Sequence, residues 1–96
     1  MNTFQLYLGR NIPTGGVVTD NQLAAFLRVD VTPRFLGFTV QNALGYWKGE
    51  PEDTVILTIC CDECDQPKVA EVAQLYKELF RQESVGVLTL PAIEFI

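Results

Sequence analysis

The sequence predicts an α+β fold, one antiparallel sheet of four strands with two helices packed on one face. Three observations predict it. Some segments alternate apolar and polar residues with the period of a strand. Two others carry apolar residues at helical spacing behind N-capping residues. The segments follow one another as β-α-β-β-α-β, which closes into one sheet through two right-handed crossovers, the ferredoxin-like arrangement. The 96 residues are enough for a single small domain, residues 1–96.

Each element has its own signal. In residues 3–9, Phe4, Leu6 and Leu8 alternate with Thr3, Gln5 and Tyr7, the pattern of a strand with one face in the core. Pro13, Gly15 and Gly16 mark a loop. Thr19 with Gln22 three residues on forms a capping box, so a helix starts at Asp20 and buries Leu23, Phe26 and Leu27. Pro33 ends it. Residues 35–40 read as the second strand, and 42–47 continue it past an irregularity, with Gly45 as a bulge. Residues 49–52 read as the turn. In residues 54–61, Val55, Leu57, Ile59 and Cys61 take one face, and Ile56, Thr58 and Cys60 the other. Both faces are largely apolar, so both are expected to be covered, the second by another subunit. Asp65 is an N-cap and Pro67 sits in the first turn of a second helix. Val69, Val72, Ala73, Tyr76, Leu79 and Phe80 form its buried stripe. Residues 84–90 read as a last core strand that Pro91 interrupts, followed by a short apolar tail able to pair with another subunit.

Composition sets limits on function. The formal net charge is −5 and there is no histidine. An acidic chain lacks the basic face that a nucleic-acid backbone requires. Catalysis by Ser-His or Cys-His pairs is excluded within one chain, as is a His-ligated metal. No apolar run reaches the roughly 18 residues of a membrane-crossing helix. Met1-Asn2-Thr3-Phe4 has no charged leader, and a cytoplasmic protein is expected. Three cysteines without a secretion signal do not suggest a disulfide framework. A domain this small then gains stability most simply by self-association, and a homo-oligomer is the expected partner state. No cofactor is implied.

Three clusters could carry chemistry. Cys60, Cys61 and Cys64, with Asp62, Glu63 and Asp65, contain a C-x-x-C that could bind zinc or a softer metal. The alternative is a buried strand end followed by an acidic loop. Tyr46, Trp47, Lys48 and Glu52 gather aromatics and opposite charges in one hairpin, able to stack on a planar ligand and hold an amine. The glycine loop between the first strand and helix could present backbone N–H groups to an anion, with Arg10 and Arg34 as charged partners. The competing reading of both arginines is an ion pair with an acidic neighbour.

Several segments resemble a family of small bacterial and phage-borne proteins of unknown function. They are Tyr7-Leu8-Gly9-Arg10 with Gly15-Gly16, Val18-Thr19-Asp20, Thr32-Pro33-Arg34-Phe35, Gly37-Phe38-Thr39-Val40, Gly45-Tyr46-Trp47, and Tyr76 through Phe80 to Gln82-Glu83-Ser84-Val85. Glu52 falls near that family's acidic position. The cysteine cluster is not part of its pattern. A weaker resemblance, through Gly45-Tyr46-Trp47 and Glu52-Asp53-Thr54-Val55, is to phage S-adenosylmethionine lyases, ferredoxin-like trimers similar in arrangement to PII signalling proteins. That resemblance implies Glu52 as a substrate-holding glutamate and Tyr46, or Trp47 without the hydroxyl, as the aromatic partner.

These readings lead to three expectations. The first is a PII-like homo-oligomer, with a trimer favoured, that binds a small ligand between subunits through Tyr46, Trp47, Lys48, Glu52, Arg10 and Arg34. The second is a lyase-like enzyme using Tyr46 and Glu52. The third is a structural or protein-interaction domain.

Overall fold

The computed structural model describes residues 2–96, apart from the side chain of Cys64. The chain runs β1 (Asn2–Gly9), α1 (Asp20–Phe26), β2 (Phe38–Trp47), β3 (Glu50–Cys61), α2 (Gln66–Leu79) and β4 (Gly86–Leu90). The sheet order is β2-β3-β1-β4 with every neighbouring pair antiparallel. This is the ferredoxin-like order that the sequence predicts.

Alternation decides which side of each strand is buried. Phe4, Leu6 and Leu8 of β1 and Val55, Leu57, Ile59 and Cys61 of β3 meet Leu23, Phe26, Val69, Val72, Ala73, Tyr76 and Phe80 from the helices in one core. Each of the larger side chains contributes about 1.5–3 kcal/mol by leaving water. Phe26, Tyr76 and Phe80 form an aromatic cluster with ring centroids 4.9–6.3 Å apart. Edge-to-face contacts of this kind add to the area term. The opposite sheet face is not covered by a helix. Gln5 donates to Thr58 and accepts from Tyr7 there, beside half-buried Ile56 and exposed Leu88. The sequence expects this second face to be covered; within one chain it is only partly screened.

The capping box forms as expected: Gln22 N–H donates to Thr19 Oγ1, and Thr19 N–H donates to Gln22 Oε1. After Phe26 the helix widens into a π turn, Leu27–Val31, which the sequence does not announce. Asp65 occupies the N-cap position of α2, but its carboxylate pairs with Lys68 at 2.8 Å rather than with a helix N–H.

Five expectations need correction. The second strand begins at Phe38, not at residue 35: Phe35 is buried before the strand and Leu36 is fully exposed. Gly45 makes no bulge, because the β2–β3 register is unbroken from Phe38↔Ile59 to Trp47↔Glu50. The turn is Lys48-Gly49, both with positive φ (51° and 80°), as a two-residue hairpin of the right twist requires. Pro51 therefore lies inside β3. It is tolerated because β3 pairs with β1 only from Thr54 onward, so this stretch is an edge. Leu79 is exposed, on the flank of the stripe formed by Val69, Ala73, Tyr76 and Phe80. Finally, the last strand is Gly86–Leu90 rather than 84–90, and at the edge of the sheet its residues are exposed or half-buried rather than core.

Candidate functional site

The end of β1 is where polar side chains converge. Gly9 has no side chain, and Glu52 from the hairpin occupies the space a Cβ would fill: an added Cβ would lie 2.7 Å from Glu52 Oε2. The same oxygen accepts the Asn11 N–H at 2.9 Å. From the other side of the sheet the Tyr76 hydroxyl donates to the Gly9 carbonyl at 2.6 Å, and Gln82 Nε2 donates to the Asn11 carbonyl at 2.9 Å. The Arg10 N–H donates to the Asp53 carbonyl. The three residues after Leu8 are thus pinned from β3, α2 and the segment after α2.

Charge is distributed unevenly here. Arg10 turns toward α1, where it donates to the Val18 carbonyl (2.7 Å) and pairs with Asp20 (2.8 Å). Glu52 is half-buried and, among the described residues, has no salt-bridge partner. Burial pushes the Tyr76 hydroxyl well above its ordinary pKa; Arg10 pulls the other way and Glu52 adds to the rise. Tyr76 is therefore a neutral donor rather than a base.

The expected ligand residues do not all gather at this point. Glu52 and Trp47 lie on the same sheet face by register, while Tyr46, opposite Pro51, projects from the other. The pair Tyr46 and Glu52 cannot converge within one chain, because Tyr46 shares its face with its partner Pro51, and Glu52, the next residue along the strand, points to the opposite face. Lys48 lies over the Trp47 ring at 5.8 Å. Arg34 is away from the cluster. It pairs with Glu71 at 2.6 Å and donates to the Asp30 carbonyl, tying the segment before β2 to α2. Arg10 and Arg34 thus both sit in ion pairs with acidic neighbours.

The cysteines diverge as well. Cys60 is on the uncovered face, with its sulfur 3.7 Å from the Thr3 hydroxyl, and Cys61 is buried in the core. Adjacent strand residues point to opposite faces, so the two cannot share an ion. The Cys64 side chain lies outside the described residues. No group of three metal-ligating residues occurs among the described residues. No helix there is long and apolar enough to cross a membrane.

The sequence singles out Glu52 but assigns Tyr76 and Gln82 no role. Tyr76 lies on a clean helical stripe, and its partner is 67 positions away. The only available signal is a hydroxyl at the last turn of an otherwise apolar face.

A ferredoxin-like domain with a pinned carboxylate at its strand end is the class that fold and site define. Residues 3–95 match the model of the family described as "Protein of unknown function (DUF3574)". The chain belongs to that family. No curated protein matches it. Among solved structures, a phage SAM lyase in its apo state superposes with a TM-score of 0.62 at 17% identity, covering 99% of this chain and 92% of the other. A de novo designed ferredoxin-fold protein matches with a TM-score of 0.38 at 11% identity, covering 98% and 88%. The first likeness is one of fold.

Proposed function

We propose that this domain is a self-associating, PII-like small-ligand binder whose polar anchor is Glu52. One observation carries the reading. Glu52 is a half-buried carboxylate held in a seat made by Gly9 and the Asn11 N–H, without a cationic partner among the described residues. A carboxylate fixed in advance and left unpaired suits the cationic group of a ligand, an ammonium or a sulfonium, because little ordering cost remains on binding. The neighbouring Trp47 offers an aromatic surface on the same face. The ligand's remaining contacts come from a second copy on the uncovered face.

A second reading is a lyase-like enzyme acting on S-adenosylmethionine, whose sulfonium matches this anchor. The likeness to the phage SAM lyase spans 99% of the chain. In that reading the hydroxyl of Tyr46 reaches Glu52 only from a neighbouring copy.

Native mass spectrometry and titration with S-adenosylmethionine test both. The binder predicts an oligomer that takes up the ligand, and a Glu52→Gln variant of the same subunit count that binds at least tenfold more weakly. A charge-assisted hydrogen bond worth about 1.5–3 kcal/mol sets that factor. Turnover abolished in Glu52→Gln with binding kept selects the enzyme. A bare monomer that neither binds nor turns over this probe overturns both and leaves an interaction domain.

A further inference from the structure

We propose a second ligand site, independent of Glu52, in the groove between the glycine loop, α1 with its π turn, and the end of α2. The ligand class is an apolar amino acid bound as its zwitterion. The groove measures about 520 Å³, within the roughly 300–1,000 Å³ of small-molecule sites. Its walls are apolar: Phe26 and Phe80 of the aromatic cluster, with Val29 and Leu79, each 58% exposed. Asp30 and Arg81 also line it. They carry opposite charges, yet neither takes part in a salt bridge among the described residues. An apolar body carrying one ammonium and one carboxylate satisfies both charges while covering both exposed side chains.

The backbone supplies a separate argument. Arg81 has φ 53°, just beyond the C-cap of α2, where its successor Gln82 N–H closes back on the Lys77 carbonyl. Glycine is the residue that adopts this left-handed position without strain. An arginine there is conformationally costly, and it places a guanidinium at the groove. The π turn is the matching irregularity on the opposite wall, and such single-turn widenings are frequent at functional sites.

Isothermal titration with L-leucine and L-phenylalanine is the test, with 3-phenylpropionate and phenethylamine as single-charge comparators. The site predicts saturable binding of an amino acid and at least tenfold weaker binding of both comparators. Arg81→Gly removes the cation and relieves the strained φ, so it abolishes binding while the melting temperature stays level or rises. That combination separates lost recognition from lost folding. Asp30→Asn weakens the amino acid at least tenfold and leaves 3-phenylpropionate unchanged. Absence of amino-acid binding to the wild-type protein, equal affinity for 3-phenylpropionate, or unchanged affinity in Arg81→Gly overturns the proposal.

Discussion

Tyr76 shows how one buried hydroxyl joins stability to the site. Its ring fills the core against Phe26 and Phe80, and its hydroxyl donates to the Gly9 carbonyl at 2.6 Å. Tyr76→Phe keeps the packing and leaves that carbonyl without this donor, at an expected cost of about 1–2 kcal/mol near pH 7. The cost depends on pH, and its sign follows from proton linkage. Burial raises the folded-state pKa above its ordinary value near 10, so the unfolded chain loses the proton first. The unfolded state then binds fewer protons, and stability falls as pH rises past about 10. Urea unfolding at pH 7 and at pH 11 should therefore show the wild type losing its advantage over Tyr76→Phe at the higher pH. A gap that widens with pH would mean that the hydroxyl ionises more readily in the fold than outside it.

The β2–β3 hairpin shows what local pattern can and cannot reveal. Alternation made residues 3–9 legible as a strand with a known buried face, residues 54–61 were legible as a strand although both of their faces read as apolar, and Thr19 with Gln22 made the start of α1 legible. The start of β2 was not, because Phe35-Leu36-Gly37-Phe38 is an apolar run without period, and whether Phe35 is buried depends on distant helices. The turn was misplaced because Pro51 and Gly49 both signal turns, and the choice belongs to the register. The site was half legible for the same reason: Glu52 is an acid beside a turn, whereas Gln82 meets Asn11 across 71 positions. Lys48 carries a cost that the register imposes, since its φ of 51° suits asparagine or glycine better than lysine. Lys48→Asn should stabilise the fold by about 0.5 kcal/mol. The relief of roughly 1 kcal/mol from the left-handed conformation is partly offset by loss of the contact over Trp47, worth about 0.5 kcal/mol. Thermal unfolding reads this, and a melting temperature below wild type would mean that the cation over Trp47 outweighs the backbone strain.

The molecule as a whole is longer than a compact domain of its size. Its extents are 41 × 27 × 20 Å and its radius of gyration is 13.3 Å, where about 12.5 Å is expected for 96 residues. The hairpin end carries exposed Leu44, Tyr46 and Trp47. The uncovered sheet face adds Tyr7, Ile56, Leu88 and Leu90, interleaved with threonine and glutamine side chains. A small domain that leaves apolar side chains exposed on an uncovered sheet face gains more by pairing them than by solvating them. The self-association proposed above would use that face, and Leu88 at its β4 edge is the residue to disturb. Leu88→Lys places a charge where a neighbouring sheet would pack, while in the isolated chain the position is already 42% exposed. The folded monomer should therefore tolerate it, with an unfolding midpoint within about 0.5 kcal/mol of wild type, as surface changes usually are. Burying an unpaired charge costs an interface several kcal/mol, so sedimentation velocity should show an oligomer for the wild type at micromolar concentration and a monomer for Leu88→Lys. Equal sedimentation of the two proteins as oligomers would move the interface to the hairpin, where Tyr46 of one copy could still meet Glu52 of another. Equal sedimentation as monomers would leave Glu52 with no second copy to complete its site.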